Sequence, residues 1–122
     1  MDVKDHVSET PTLAQDLNGI AALLRKYQHY GQMRTVEEIL GTLNTSNPDY
    51  RRLCGTEMWG GAGAVWEVNI GTFQKSQDEK TDRRAFFRLF IRLAKTINQM
   101  GLGTDRSNFI AATFQTWLDK GL

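Results

Sequence analysis

Asp82-Arg83-Arg84-Ala85-Phe86-Phe87-Arg88-Leu89-Phe90-Ile91-Arg92-Leu93-Ala94-Lys95-Thr96-Ile97-Asn98-Gln99-Met100 decides the fold class. Phe86, Leu89, Phe90, Leu93, Ile97 and Met100 recur at steps of three and four, and Arg84, Arg88, Arg92 and Lys95 gather on the opposite side of the wheel. That period belongs to an amphipathic helix, since a strand would alternate its faces every second residue. Gly101-Leu102-Gly103 ends it.

Working outward, the same period predicts a last helix over about Ser107 to Lys120, with Phe109, Ile110, Phe114, Trp117 and Leu118 as its apolar residues. Near the other end, Thr10-Pro11 reads as a helix start, Thr10 as cap and Pro11 where its missing N–H is harmless. Leu13, Leu17, Ile20, Ala21, Leu24 and Tyr27 follow at helical spacing, and Gly31 is expected as the stop. A second helix is expected from about Arg34 to Leu43, through Val36, Ile39, Leu40 and Leu43, with Glu37 and Glu38 near its N-terminal end. After the turn Asn44-Thr45-Ser46-Asn47-Pro48, Asn47 and Pro48 repeat the cap-then-proline pattern and predict a third helix towards Met58. Val65 to Ile70 alternates like a strand and also fits a helix beginning near Ala62. A lone strand has nothing to pair with in a helical chain, so the helix is the expectation. Gly71 to Thr81 reads as a polar, mobile loop, and residues 1–9 as a loose segment. The reading is an all-α fold, a compact bundle of five to six helices in one domain over residues 10–122.

With 122 residues the chain can bury a core without staples, and a net charge of +1 lacks the basic excess of a dedicated nucleic-acid binder. Its single cysteine, Cys54, can form no internal disulfide, which suits a reducing compartment. No apolar run reads as a signal peptide or a membrane span, so the expected setting is cytoplasmic.

Met58-Trp59-Gly60-Gly61-Ala62-Gly63-Ala64-Val65-Trp66-Glu67 is the stretch most specialised in composition. Its glycines and alanines remove bulk between two tryptophans, which implies unusual backbone angles or a close approach. A phosphate-binding loop fails here, because Gly61 and Ala62 follow Gly55 to Gly60 where lysine and a hydroxyl belong. A dinucleotide fingerprint fails because no third glycine follows Gly61-Ala62-Gly63. Two readings remain: a turn packed tightly against a neighbouring helix, or a binding surface with Trp59 or Trp66 as anchor. The motif from Trp59 to Glu67 resembles a G-G-x-G-[SA]-x-x-[DE] signature in a family of small uncharacterised bacterial proteins. It covers about a tenth of the chain, with Ala64 where serine is commoner and Glu67 where aspartate is. That family has no assigned activity. The resemblance implies a bacterial source, and proteins of this type are often encoded beside toxins as immunity partners.

The basic stripe Arg84, Arg88, Arg92 and Lys95, with Arg83, Lys75 and Lys80 nearby, is either a solvated face or a contact for phosphates or an acidic protein. Residues 35–53 have the order of a helix-turn-helix, which would aim Ser46, Asn47, Tyr50 and Arg51 at DNA, with Arg52 beside them. Asp49 would meet phosphate unfavourably, and Gly55 curtails the helix. Neither His6 nor His29 has a partner at ligand spacing, so no metal or cofactor is expected. An enzyme would need Glu57, Glu67 and Cys54 to converge in a cleft, with Cys54 a nucleophile only if His29 approached it, and nothing in their spacing requires it. The expectation is a non-enzymatic protein-binding module, in its most concrete form an immunity protein that occludes a toxin. Trp59, Gly60, Gly61, Trp66, Glu67, Arg84, Arg88 and Arg92 would make the contact, and a small DNA-binding regulator using residues 35–53 is the alternative.

Overall fold

The computed structural model describes residues 9–71 and 77–122. Among them are five α-helices and no strand: α1 (Thr10–Lys26), α2 (Tyr30–Leu43), the one-turn α3 (Thr56–Trp59), α4 (Gln77–Gln99) and α5 (Asp105–Asp119), with a 3-10 turn at Val65–Glu67. None of these helices is long and apolar enough to cross a membrane. The expected loose segment lies outside the described residues except for Glu9.

Two helical hairpins make the frame. Consecutive α1 and α2 pack together, as do α4 and α5, and α1 against α4 joins the pairs. α4 and α5 run antiparallel: Asn98 Nδ2 donates to Asn108 Oδ1 at one end of the pair, and Arg84 donates to the Leu118 carbonyl at the other. α1 and α4 are antiparallel by the same logic, with Lys26 against Asp82 and Asp16 against Arg92. The predicted apolar stripes supply the core. Leu13, Leu17, Ile20 and Leu24 meet Phe86, Phe90, Leu93 and Ile97, all essentially inaccessible. Burying each such side chain contributes roughly 1.5–3 kcal/mol against leaving it in water.

The helix ends differ from the sequence expectation in ways the local chemistry explains. Thr10 lies inside α1 rather than capping it, and its hydroxyl is 3.0 Å from that of Tyr50. Gly31 does not stop α1 but sits in the first turn of α2. The stop falls at Gln28, whose φ of 64° lets Gln28 N–H reach the Arg25 carbonyl and His29 N–H the Leu24 carbonyl. This crossed pair satisfies the carbonyls that a helix end leaves open. α5 starts on a reciprocal Thr104–Ser107 capping box.

The expected third helix is not formed. Asp49 Oδ1 accepts from Arg51 N–H, and a single turn closes from Cys54 N–H to the Tyr50 carbonyl. An aspartate that caps its own neighbours competes with helix propagation, and Gly55 follows at once. The expected helix from Ala62 is also absent. Gly63 takes a φ of 87° and Ala64 is extended, leaving only the three-residue 3-10 turn. Residues 44–71 therefore wrap the frame, with α3 touching α5 and the 3-10 turn touching α2. The expected loop over Gly71 to Thr81 is shorter, since α4 already begins at Gln77, and residues 72–76 lie outside the described residues.

Candidate functional site

The glycine turn is built around one carbonyl. The Gly60 oxygen accepts from the Trp66 indole Nε1–H at 2.6 Å and from Arg106 Nη2 at 3.0 Å, and Arg106 Nε donates to the Trp59 carbonyl at 3.0 Å. The guanidinium also lies 5.8 Å from the Trp66 ring centroid and 5.6 Å from that of Phe109. A β-carbon on Gly60 would stand 2.5 Å from the Thr56 carbonyl oxygen, so this position has no room for a side chain. Close packing is what Gly60 provides. Gly61 has open space around it.

The two tryptophans have different fates. Trp59 is 1% exposed, donates to the Leu53 carbonyl at 2.8 Å and meets Phe90 edge-on. It is a core residue, and its enclosed ring offers a partner no surface. Trp66 is half-buried and forms one wall of a groove of about 700 Å³. Half-buried Trp117 is the facing wall, and the buried rings of Phe87 and Phe114, stacked at 4.6 Å and each within 5.5 Å of Trp117, lie beneath as the floor. The extended stretch Val68 to Gly71 closes one side, steadied by His29, whose Nε2 is 2.7 Å from the Asn69 carbonyl. Volume and aromatic lining are those of a ligand or anchor-residue site, in which a few polar groups set orientation. Here those groups include Glu67 and Arg83.

The predicted basic stripe divides. Arg84 is committed to the Leu118 and Leu122 carbonyls, both at 3.1 Å, and closes the end of α5. Arg92 lies 3.1 Å from the buried Asp16 carboxylate, at an angle that makes no hydrogen bond. Arg88 and Lys95 are exposed. Lys75 lies outside the described residues, as does His6. Of the expected contact residues, the structure brings Trp66 and Glu67 into one groove and leaves Trp59, Gly60, Gly61, Arg84, Arg88 and Arg92 out of its lining.

Arg83 and Arg106 are the functional candidates that sequence reasoning passed over. Arg83 was visible only as a neighbour of the stripe, and its position one helical turn before Phe87 is the signal that places it on the groove wall. Nothing in the sequence around Arg106 announces two carbonyls some 46 residues away. A second cleft of about 460 Å³ between α4 and α5 has its facing amides, Asn98 and Asn108, bonded to each other.

The other sequence candidates are occupied elsewhere. Arg51 pairs with Asp49 at 2.7 Å, and Arg52 with Glu38 and Glu57 at 2.9 and 2.8 Å. Where the helix-turn-helix reading expects a second helix the chain makes one turn, and both of its arginines sit in surface ion pairs. Hydrogen bonding to Arg51 holds the Asp49 carboxyl down at about 2, and the Arg52 side chain lowers Glu57. Burial pushes the half-buried Cys54 thiol up, away from the reactive thiolate. Comparison with protein-family models, curated proteins and solved structures finds no match to this chain.

Proposed function

We propose that the protein is a protein-binding module in which the aromatic groove receives an anchor side chain from a partner polypeptide. The observation that carries this reading is the groove walled by the half-buried Trp66 and Trp117 over the buried rings of Phe87 and Phe114. Interface energy concentrates in a few well-packed aromatic or arginine anchors seated in pockets, and a groove of preformed rings accepts such an anchor without reorganising. Phe109, 57% exposed, lies against the Arg106 guanidinium, which also faces Trp66, and adds an exposed ring near the glycine turn. An immunity protein that occludes one cognate toxin is the narrowest form of the proposal. A cytoplasmic setting accords with the lone Cys54.

Affinity capture from native lysate, with the native protein and a Trp117→Ala variant side by side, tests the reading. Trp117 is half-buried and packs on the core through Phe87 and Phe114, so its removal opens the groove and the comparison is read on a variant shown to stay folded. A stoichiometric protein held by the native chain and lost from a folded variant supports docking in the groove. Equal capture by both moves the interface elsewhere, and nuclease-sensitive DNA as the captured species favours the regulator.

A further inference from the structure

We infer that the groove reads a carboxylate beside the apolar side chain it takes, with Arg83 as the reading residue, so that the partner segment sets an aromatic residue next to a single acidic one. This rests on the docking reading above and specifies its chemistry.

The argument begins with the pairing of charges along the start of α4. Asp82 accepts from Lys26 Nζ and from the Tyr27 hydroxyl, both at 2.6 Å, and Arg84 is spent on two carbonyls. Arg83, between them, is half-buried on the groove wall and has neither an ion pair nor a hydrogen bond among the described residues. A guanidinium presents five donors in a rigid planar fork, and a carboxylate meets two of them at once. Aromatic walls limit the water available to do the same, which strengthens a charge-assisted bond formed there.

Glu67 shares the groove and selects among anions. It is exposed, so solvent and salt weaken its field, whereas the half-buried Arg83 is shielded less. A single negative charge placed at Arg83 therefore gains more than it loses to Glu67. A phosphate dianion or a run of acids brings further charge, and Arg83 is the one cationic side chain of the groove lining among the described residues, so that charge faces Glu67 with no second donor fork to meet it. One carboxylate next to one large apolar group is the chemistry that fits.

The test uses the intact protein, labelled with nitrogen-15, and the indole N–H resonances of its tryptophans. Trp66 and Trp117 report the groove, and Trp59, enclosed and bonded to Leu53, is the internal control. The probes are a capped glycine-flanked Phe-Asp peptide, its Phe-Asn counterpart and free 3-phenylpropionate. The expected result is that Phe-Asp shifts the Trp66 and Trp117 resonances and leaves Trp59 still, with Phe-Asn about tenfold weaker. Arg83→Gln should abolish that difference, Arg83→Lys should restore part of it, and Glu67→Gln should tighten Phe-Asp severalfold. Equal binding of the two peptides to the native protein would overturn the charge reading and leave the docking reading standing. No shift with either peptide would overturn both. Binding of 3-phenylpropionate as tight as that of Phe-Asp would overturn the polypeptide source and make the groove a site for small apolar acids.

Discussion

Arg106 and Trp66 donate to the same oxygen, the carbonyl of Gly60, at 3.0 and 2.6 Å. Two donors from residues far apart in sequence thereby pin the one position of the glycine turn where no side chain fits. The turn is held from α5, and Trp66 is oriented for the groove by the same contact.

Arg106→Ala should therefore cost about 1–3 kcal/mol, the usual range for losing hydrogen bonds from a charged group. Arg106→Lys should recover little, because one ammonium cannot reproduce a fork that reaches the Trp59 and Gly60 carbonyls together. Urea unfolding measures the loss. Indole N–H spectra should show Trp66 displaced while Trp59, held by Leu53, stays put. A variant as stable as the native protein with an unmoved Trp66 would show that the glycine turn holds itself.

Gly60 and Gly61 look alike in the sequence and should behave in opposite ways. A β-carbon at Gly60 meets the Thr56 carbonyl oxygen at 2.5 Å, a backbone atom that cannot swing aside, whereas one at Gly61 meets nothing. Gly60→Ala is expected to destabilise by more than about 1 kcal/mol, and Gly61→Ala to be neutral or up to about 1 kcal/mol stabilising through a stiffer unfolded chain. Thermal unfolding of the pair decides it. Equal effects would place the constraint on the turn as a whole.

The frame was readable because it rests on long periodic segments: α1, α4 and α5 follow the 3.6-residue spacing of Leu13 to Leu24, Phe86 to Ile97, and Ile110 to Leu118. Short segments escaped it. Tyr50 and Leu53 suggested a helix that Asp49 and Gly55 confine to one turn, and residues 64–70 are held by tertiary contacts to Gly60 and His29 that no local pattern encodes. The groove mixes both cases. Glu67 and Trp66 stood out by composition, whereas Phe87 was hidden beside Phe86, on the flank of the apolar stripe that turns to α5.

Gln28 shows how a strong stop signal can mislead. Gly31 carries the glycine, yet the turn that stops α1 comes three residues before it, where Gln28 adopts a φ of 64°. A side chain in that conformation costs roughly 1–2 kcal/mol, which glycine avoids at the expense of some chain entropy. Gln28→Gly should raise stability by about 0.5–1 kcal/mol, read as a higher urea midpoint with an unchanged slope. A drop would mean that the Gln28 side chain contributes more than its strain removes.

Asp16 and Asp82 make opposite demands on pH. Burial pushes the Asp16 carboxyl above its ordinary 3.8, and Arg92 pulls it only part of the way back. The carboxyl is 1% exposed and neither of its oxygens has a hydrogen bond. The folded protein thus holds this proton more tightly than the unfolded chain does. Its contribution to stability is full below 3.8 and is lost as pH rises through the folded value. Asp82 is lowered by its hydrogen bonds from Lys26 and Tyr27, so its contribution is present above 3.8 and disappears as pH falls through the lowered value. Asp16→Asn removes the first dependence and leaves the second. Relative to the native protein, the variant should gain stability as pH rises from 3.8 through the raised Asp16 value and level off above it, measured by urea unfolding at each pH. Asp82→Asn should show the reverse at the acid end, with a deficit that is constant above 3.8 and shrinks as pH falls from there through the lowered Asp82 value. A native protein that outpaces Asp16→Asn as pH rises would show that Arg92, 3.1 Å away, outweighs burial and that this pair fastens α1 to α4.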